Sequence, residues 1–549
     1  MDRRQFLTLS SGTTALLALS TATPQISPTL AASSPSPWIK LQAWTATGEP
    51  LPPHVLNQTF FLTLTDEPLP NPPRRVTQGT LWSEPPSVPF ALVLYLWVQG
   101  FGKVTLYADN QGWGYTPADF PLNLNLACAQ SRLHRVWGAI ATWKSQGYAC
   151  PPPVKAQLQK AAAFLQQALA AANSKAMAAL ANDSLRESLW AGEAAVFAQA
   201  QDQIRQQGSR PHFLFGCNCF GHPDSGAEYD RHFQQLFNFA TLPFYWQSFE
   251  PKAGQPNFGK TDGMVQWLEQ AGITAKGHPL VWFHEAGLPA WVKGKSYAQL
   301  QDLLRQRVRE ITRHYGDRIS YYDIINEAHD IDWANLLNFS AQQQLEMTRL
   351  AAEAAAQGHP HLQRIINTCC QWAEYVARGR QDPQLHSAYH YLQTCIATDI
   401  PFEIIGMQLY YPNQDMFEIN RLLERFSQLG KPIHITELGV SSNTTRAENT
   451  PFPEPPGLWH GSWSETIQAD WVEQFYTLCY SKPYIEAVTW WDLADGGFWP
   501  HGGLLRPDFT PKLSYLRLAT LQKQWRSLSP FRESKTSMQF NVTISPLKR

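Results

Sequence analysis

Two carboxylates stand at the ends of apolar runs in this chain. Glu327 closes the run Tyr321-Tyr322-Asp323-Ile324-Ile325-Asn326-Glu327, and Glu437 nearly closes Pro432-Ile433-His434-Ile435-Thr436-Glu437-Leu438. Both runs are rich in β-branched residues and read as buried strands. An ionisable group at the lip of such a strand is costly unless it has partners or a task. Two carboxyls held in different protonation states, roughly 5–5.5 Å apart, can cleave a glycosidic bond with retention of configuration. One protonates the leaving oxygen while the other attacks the anomeric carbon. In that chemistry Glu327 is the acid/base and Glu437 the nucleophile, and Asn326 can bond the sugar 2-hydroxyl. The competing reading is a pair of buried, salt-bridged glutamates.

Chemistry of this kind needs a scaffold that aims both strand ends into one cleft. From Phe213 onward, strand and helix patterns alternate. The predicted strands are Phe213–Cys217, Phe237–Phe244, Ile273–Trp282, Ile319–Glu327, Arg364–Thr368, Ile404–Tyr411, Pro432–Leu438 and Ala487–Asp495. Helical stretches fall between them, among them Leu300–Tyr315, Ala341–Gln357, Met416–Leu429 and Thr466–Tyr480. Eight such units predict an α/β chain folded as a TIM (β/α)8 barrel over residues 211–527, with its chemistry at the C-terminal strand ends. Both glutamates fall there, on the fourth and seventh strands. Ahead of the barrel, residues 38–150 are expected to form a β-rich, sandwich-like accessory unit, since short strands broken by Pro and Gly run from Trp38 to about Leu126. It is either carbohydrate-binding or a spacer, and the turn Asp109–Tyr115 either presents aromatics to a glycan or is simply Gly-rich. Residues 151–210 read as a helical connector that starts after Pro151-Pro152-Pro153 and stops at Gly208. Residues 528–549 form a tail.

Bulk properties exclude several function classes. Lys plus Arg number 44 against 45 Asp plus Glu, so charge offers no case for nucleic acid or an anionic membrane. Aromatics make up 12% of the chain and Trp alone numbers 21, which suits either stacking on sugar rings or the filling of a large core. None of the eight cysteines forms a CxxC pair, and no His, Asp or Glu spacing suggests ligands, so neither metal nor cofactor is expected. Cys128 and Cys150 are candidates for a disulfide, and buried thiols are the reading for the rest. Residues 1–37 carry Arg3-Arg4-Gln5-Phe6-Leu7, a mild apolar run to about Ala22 and a Pro/Ser/Thr-rich stretch. This is similar to a twin-arginine export signal, with Asp2 where Ser or Thr is usual. The run is too short and polar to span a bilayer. Export to the periplasm or beyond, no stable membrane insertion and a monomer are expected.

Across about Phe213 to Trp525 the chain resembles glycoside hydrolase family 10, the β-1,4-xylanase-type barrel. Gly277-His278-Pro279-Leu280-Val281-Trp282 looks like that family's Gly-His-Thr-Leu-Val-Trp, and Asp323-Ile324-Ile325-Asn326-Glu327 like its Asp-Val-Val-Asn-Glu. Gly406-Met407-Gln408, His434–Leu438 and Trp491-Asp492-Leu493-Ala494-Asp495 with Trp499 match the sixth, seventh and eighth strands. The resemblance implies that His278, Trp282, Gln408, Trp491 and Trp499 line the sugar subsites, with Trp246 as a further platform. Departures accompany it. Thr241-Leu242-Pro243-Phe244-Tyr245-Trp246 stands where the family has Glu-Asn-x-Met-Lys-Trp, so Leu242 and Tyr245 remove two polar contacts. Tyr410 replaces a His that bonds the nucleophile, and Phe283-His284 follows Trp282 where a His would follow directly. His434 reads equally as structure or site. Trp333, Trp372, Trp459 and Trp463 either line leaving-group subsites or are loop structure. The expectation is a retaining endo-β-glycanase on β-1,4-linked polysaccharide, xylan first. The alternatives are a related barrel glycosidase on another β-glycan or oligosaccharide, and a non-catalytic glycan-binding protein.

Overall fold

A computed structural model describes residues 38–529, apart from 332, 378–386, 411–412, 449 and 456. Residues 1–37, where an export signal is expected, and the tail beyond Ser529 lie outside the described residues.

Four short strands, β1 (Ile39–Gln42), β4 (Arg74–Thr77), β5 (Thr80–Ser83) and β8 (Leu122–Asn123), form one sheet in the order β4-β5-β1-β8. A second sheet, in the order β3-β2-β6-β7, is built from β2 (Phe60–Leu62), β3 (Pro68–Leu69), β6 (Ala91–Val98) and β7 (Gly102–Ala108). Leu41 and Leu81 of the first sheet share a core with Phe61, Leu92 and Leu94 of the second. The β-rich reading of residues 38–150 needs correcting at its end, because Leu124–Ser145 is an α-helix capped by Asn123. Its buried stripe runs through Leu124, Ala127, Cys128, Ser131, Arg132, Val136, Ile140 and Trp143. Small and polar members of that stripe hide the 3.6-residue period from an apolar count. Two more helices follow, Pro152–Leu169 and Ser174–Gln207, the second ending at Gly208 with φ 74°, a conformation that favours glycine.

The barrel strands are β9 (Leu214–Asn218), β10 (Phe239–Pro243), β11 (Thr274–His278), β12 (Tyr321–Asn326), β13 (Gln363–Thr368), β14 (Ile404–Leu409), β15 (Ile433–Leu438) and β16 (Ile485–Trp490). They pair in parallel and close in the order β10 through β16 and back to β9, as the alternating pattern predicts. Flanking helices start where capping chemistry allows. Ser296 with Gln299 and Ser340 with Gln343 form reciprocal capping boxes ahead of Tyr297–Tyr315 and Ala341–Gly358. Register irregularities sit just before the functional strand ends, at Ile324 of β12 against β13 and at Thr436 of β15 against β14. Such bulges re-aim the side chains that follow.

All eight cysteines are free, so the expected Cys128–Cys150 disulfide is absent. Cys128 is buried in the face of the helix Leu124–Ser145, while Cys150 lies past that helix's end. Among the described residues no helix is long and apolar enough to cross a membrane.

Candidate active site

Beneath the strand ends, the apolar barrel holds a buried charge pair. Lys276 on β11 donates from Nζ to Asp323 Oδ2 of β12 at 2.8 Å, with both side chains 0% exposed. The same oxygen meets His278 Nδ1 at 2.7 Å, and His278 Nε2 points on to Glu437 Oε1 at 3.7 Å. Burial alone would raise the Asp323 carboxyl, but Lys276 and His278 outweigh it and hold the group below its ordinary range. Burial lowers His278, which favours a neutral ring whose Nδ1–H faces Asp323 and whose Nε2 faces the cleft.

Above this pair, side-chain amides connect the two glutamates. Gln408 Nε2, at the end of β14, donates to Glu327 Oε1 at 2.7 Å and lies 3.4 Å from Asn326 Oδ1. Asn367 Nδ2, at the end of β13, donates to Asn326 Oδ1 at 2.7 Å and to Glu437 Oε1 at 2.9 Å. Thr436 fixes the orientation of Asn367 by donating from Oγ1 to its Oδ1. Trp282 Nε1 donates to Glu327 Oε2 at 3.0 Å, and Tyr410 donates from its hydroxyl to Glu437 Oε2 at 2.9 Å. Glu327 itself adopts φ 57°, a left-handed conformation that a non-glycine residue holds only when its surroundings impose it. Its N–H donates to Asn367 O at 2.9 Å, and Asp330 N–H returns to Glu327 O at 3.0 Å, which supplies that constraint.

Both carboxyls are pushed upward by burial. Glu327 is raised to about 7, with Asp330 adding to the rise and the Gln408 and Trp282 donors opposing it. Glu437 is raised to about 8, with the Glu327 charge adding and Lys276 and the Tyr410 hydroxyl opposing. Part of the Glu437 shift requires Glu327 to be ionised, so the two groups titrate as a pair that keeps a proton near neutrality. Asp492, after β16, is raised to about 6 by burial and accepts from the backbone N–H groups of Phe498 and Trp499.

Aromatics wall the cleft. Trp491 lies 5.3 Å from the His278 ring and 5.6 Å from Phe220, while Trp499 packs at 4.8 Å on Phe452 and 5.6 Å on Tyr410. Trp282 stacks on His284 at 4.3 Å, and His284 meets Trp333 at 4.5 Å; Trp333 is 47% exposed, so an aromatic row runs from Glu327 to solvent. Asn326, His278, Trp282, Gln408 and Tyr410 therefore converge with the two glutamates, and Trp491 and Trp499 flank them.

Trp246 is a correction. Its Nε1 donates to Glu250 Oε2 at 2.8 Å, and its ring packs on Arg307 and Trp291 rather than on the carboxylates. The residue before it takes the place expected for it: the Tyr245 ring lies 5.5 Å from His278 and 6.0 Å from Trp282. Trp459 donates to Glu193 and stacks on His460, and Trp463 donates to Gly457 O, so both serve the loop after β15. His434 belongs to the core, between Phe239 and Tyr321. Asn367 went unread in the sequence, although it ends a β-branched run just as Asn326 does. Asp330, Cys369 and Cys370 bring one carboxylate oxygen and two sulfurs within 4.8 Å of one another, a grouping that spans two loops and has no sequence spacing.

The sequence model of glycosyl hydrolase family 10 matches residues 216–516, more than half of the chain. The chain belongs to that family. A relative, a β-1,4-xylanase from Dictyoglomus thermophilum, is 26% identical over 273 residues, covering 47% of this chain and 72% of that protein. Endo-1,4-beta-xylanase B of Thermotoga neapolitana is 22% identical over 335 residues, covering 57% and 88%. Among solved structures, native xylanase 10B from Thermotoga maritima aligns with a TM-score of 0.46 at 20% identity, over 59% of this chain and 97% of that one. As a family 10 member the protein is a glycoside hydrolase. The matched region contains both glutamates and begins after the N-terminal sheets and helices, which are additions to the family barrel.

Proposed function

We propose that this enzyme hydrolyses a β-1,4-linked polysaccharide, xylan first, as an endo-acting glycosidase that retains configuration by double displacement. The observation that carries the reading is the pair of buried carboxylates joined through Asn367 and Gln408 to one Asn326. Glu327 is the acid/base. Asp330 beside it favours the proton there, and the Trp282 row leads from it to solvent, where a leaving group departs. Glu437 is the nucleophile; burial and the Glu327 charge leave it the more raised of the pair, Lys276 and the Tyr410 hydroxyl oppose that rise, and the reactive form is the share of the pair that carries its proton on Glu327. Glu327 protonates the glycosidic oxygen, Glu437 attacks the anomeric carbon, and Glu327 then takes a proton from the water that releases the sugar. Asn326 bonds the 2-hydroxyl, His278 and Gln408 hold the attacked sugar, and Trp491 and Trp499 roof it. The xylanase names of the relatives support xylan as the first substrate.

A second reading has its own support. Leu242 is fully buried and Tyr245 is aromatic where the family carries Asn and Lys, so the site beyond the attacked sugar offers stacking in place of two polar contacts. That favours a different β-glycan or a short oligosaccharide, because a site without matched polar groups discriminates hydroxyls weakly. Mass spectrometry of products from xylan, mixed-linkage glucan and aryl glycosides decides between them. Xylo-oligosaccharides from xylan support the first reading, and products from glucan or aryl glycosides alone support the second. Binding without product on every member would overturn both. Export through the twin-arginine segment, a periplasmic or extracellular site and a monomeric state complete the proposal.

A further inference from the structure

The family match begins at residue 216, yet helices before it reach the loops that follow β14, which leads to Tyr410, and β15, which carries the nucleophile. Glu193, 3% exposed on the helix Ser174–Gln207, accepts at Oε1 from the N–H of Met416 at 2.9 Å and from Trp459 Nε1 at 3.2 Å. Its Oε2 meets His460 Nε2 at 2.7 Å. Met416 follows β14, which leads to Tyr410, and Trp459 and His460 follow β15, which carries Glu437. One buried carboxylate thus ties two active-site loops together. His460 has φ 62°, and a Cβ on Gly102 of β7 would lie 2.7 Å from its carbonyl oxygen, so only glycine lets the sheet approach this turn so closely.

A second tie lies alongside. Arg132, on the helix Leu124–Ser145, donates from both guanidinium nitrogens to Asp415 at 2.8 and 3.0 Å, with exposures of 4% and 0%. Asp415 caps the helix that starts at Met416. Thr105 donates to Asn413 O from its N–H at 3.0 Å and from its Oγ1 at 3.1 Å, and the Tyr95 hydroxyl donates to Asn413 Oδ1 at 2.8 Å. Buried ionic contacts of this kind contribute little net stability against an apolar packing of equal volume, so geometric control is the stronger account of why they are there.

We propose that the N-terminal sheets and helices are a clamp within the catalytic unit, and that Glu193 and Arg132 are positioning residues that hold Tyr410 on Glu437. The inference rests on Glu437 being the nucleophile. Around Glu437 stand Lys276 and His278 of β11, Asp323 and Glu327 of β12, Tyr410 after β14, Tyr245 after β10 and Asp492 after β16. Tyr410 is the member nearest in sequence to the held residues Asn413, Asp415 and Met416.

The test compares pH profiles of kcat/KM on an aryl β-xylobioside, using the full-length enzyme, for Glu193→Ala, Glu193→Gln, Tyr410→Phe and Glu193→Ala/Tyr410→Phe. Loss of one hydrogen bond to an ionised carboxylate moves its titration up by about one pH unit. Expected are an acid limb raised by about one unit in Tyr410→Phe, a similar rise in Glu193→Ala, near wild-type behaviour in Glu193→Gln, and no further rise in the double variant. A Glu193→Ala enzyme that loses thermal stability with its acid limb unmoved would overturn the clamp, as would shifts that add in the double variant. If Tyr410→Phe itself leaves the limb in place, the Glu437 assignment fails instead. Arg132→Lys and Tyr95→Phe with Thr105→Val give the same readout if Glu193→Ala does not fold.

Discussion

Replacing Lys276 by Met tests the layer on which the site rests. Lys276 and Asp323 are 2.8 Å apart with no exposure, so removing the cation leaves a carboxylate in the barrel core. Cutting one partner from a buried ion pair costs about 3–5 kcal/mol. His278 remains at 2.7 Å and can accept a second proton, which places the expected loss near the lower figure, about 3 kcal/mol. Against a total stability of about 5–15 kcal/mol this is large. The sign with pH follows from Asp323, whose folded value Lys276 depresses. Its stabilising contribution is fully present above the ordinary carboxylate range, about 3.9, and is lost as pH falls through the lower folded value. Urea denaturation followed by tryptophan fluorescence should therefore show the full deficit at pH 7 and a narrowing gap below about pH 4. Lys276→Met/Asp323→Asn should recover much of the loss, because no uncompensated charge remains. A deficit under about 1 kcal/mol at pH 7, or a double variant worse than the single one, would refute the reasoning.

Other perturbations give equally plain outcomes. Both glutamates are raised in the folded state, to about 7 and about 8, so each costs stability as pH rises from its unfolded value through its folded one. Glu437→Gln should consequently be more stable than the wild type at pH 8, by about 4 kcal/mol, and equal to it near pH 4, as read by thermal unfolding. Activity should follow a bell-shaped pH profile, since turnover needs one carboxyl protonated and the other ionised. Asn367→Ala removes a donor shared by Asn326 and Glu437 and should lower kcat/KM by about 10- to 100-fold in steady-state assays. Thiol titration in denaturant should count eight free cysteines, with no change of intact mass on reduction.

The barrel was legible because parallel strands buried on both faces read as continuous β-branched runs, and the helices between them keep their own period. The glutamates were legible for the same reason, as charges at the ends of such runs. Trp246 was misread because a helical turn follows β10 and rotates it under Arg307, which leaves Tyr245 facing the cleft; position in a motif does not record that rotation. The helix Leu124–Ser145 was missed because Ser131 and Arg132 occupy its buried face, where Ser131 accepts from Asp109 N–H and Arg132 serves Asp415, 283 residues distant in sequence. The tie between Glu193 and the loops at Met416 and Trp459 belongs to the same class. Contacts of that range leave no local period, and only the folded chain brings them together.

Incubation with an activated 2-deoxy-2-fluoro-β-xylobioside, then proteolysis and mass spectrometry, tests the double-displacement mechanism most directly. The fluorine slows both formation and release of a glycosyl-enzyme, and the activated leaving group restores formation, so a retaining enzyme accumulates the adduct. The account predicts a stoichiometric adduct on the peptide containing Glu437, absent in Glu437→Gln. An adduct on another residue, or turnover of the natural linkage to an inverted product without any adduct, would contradict it.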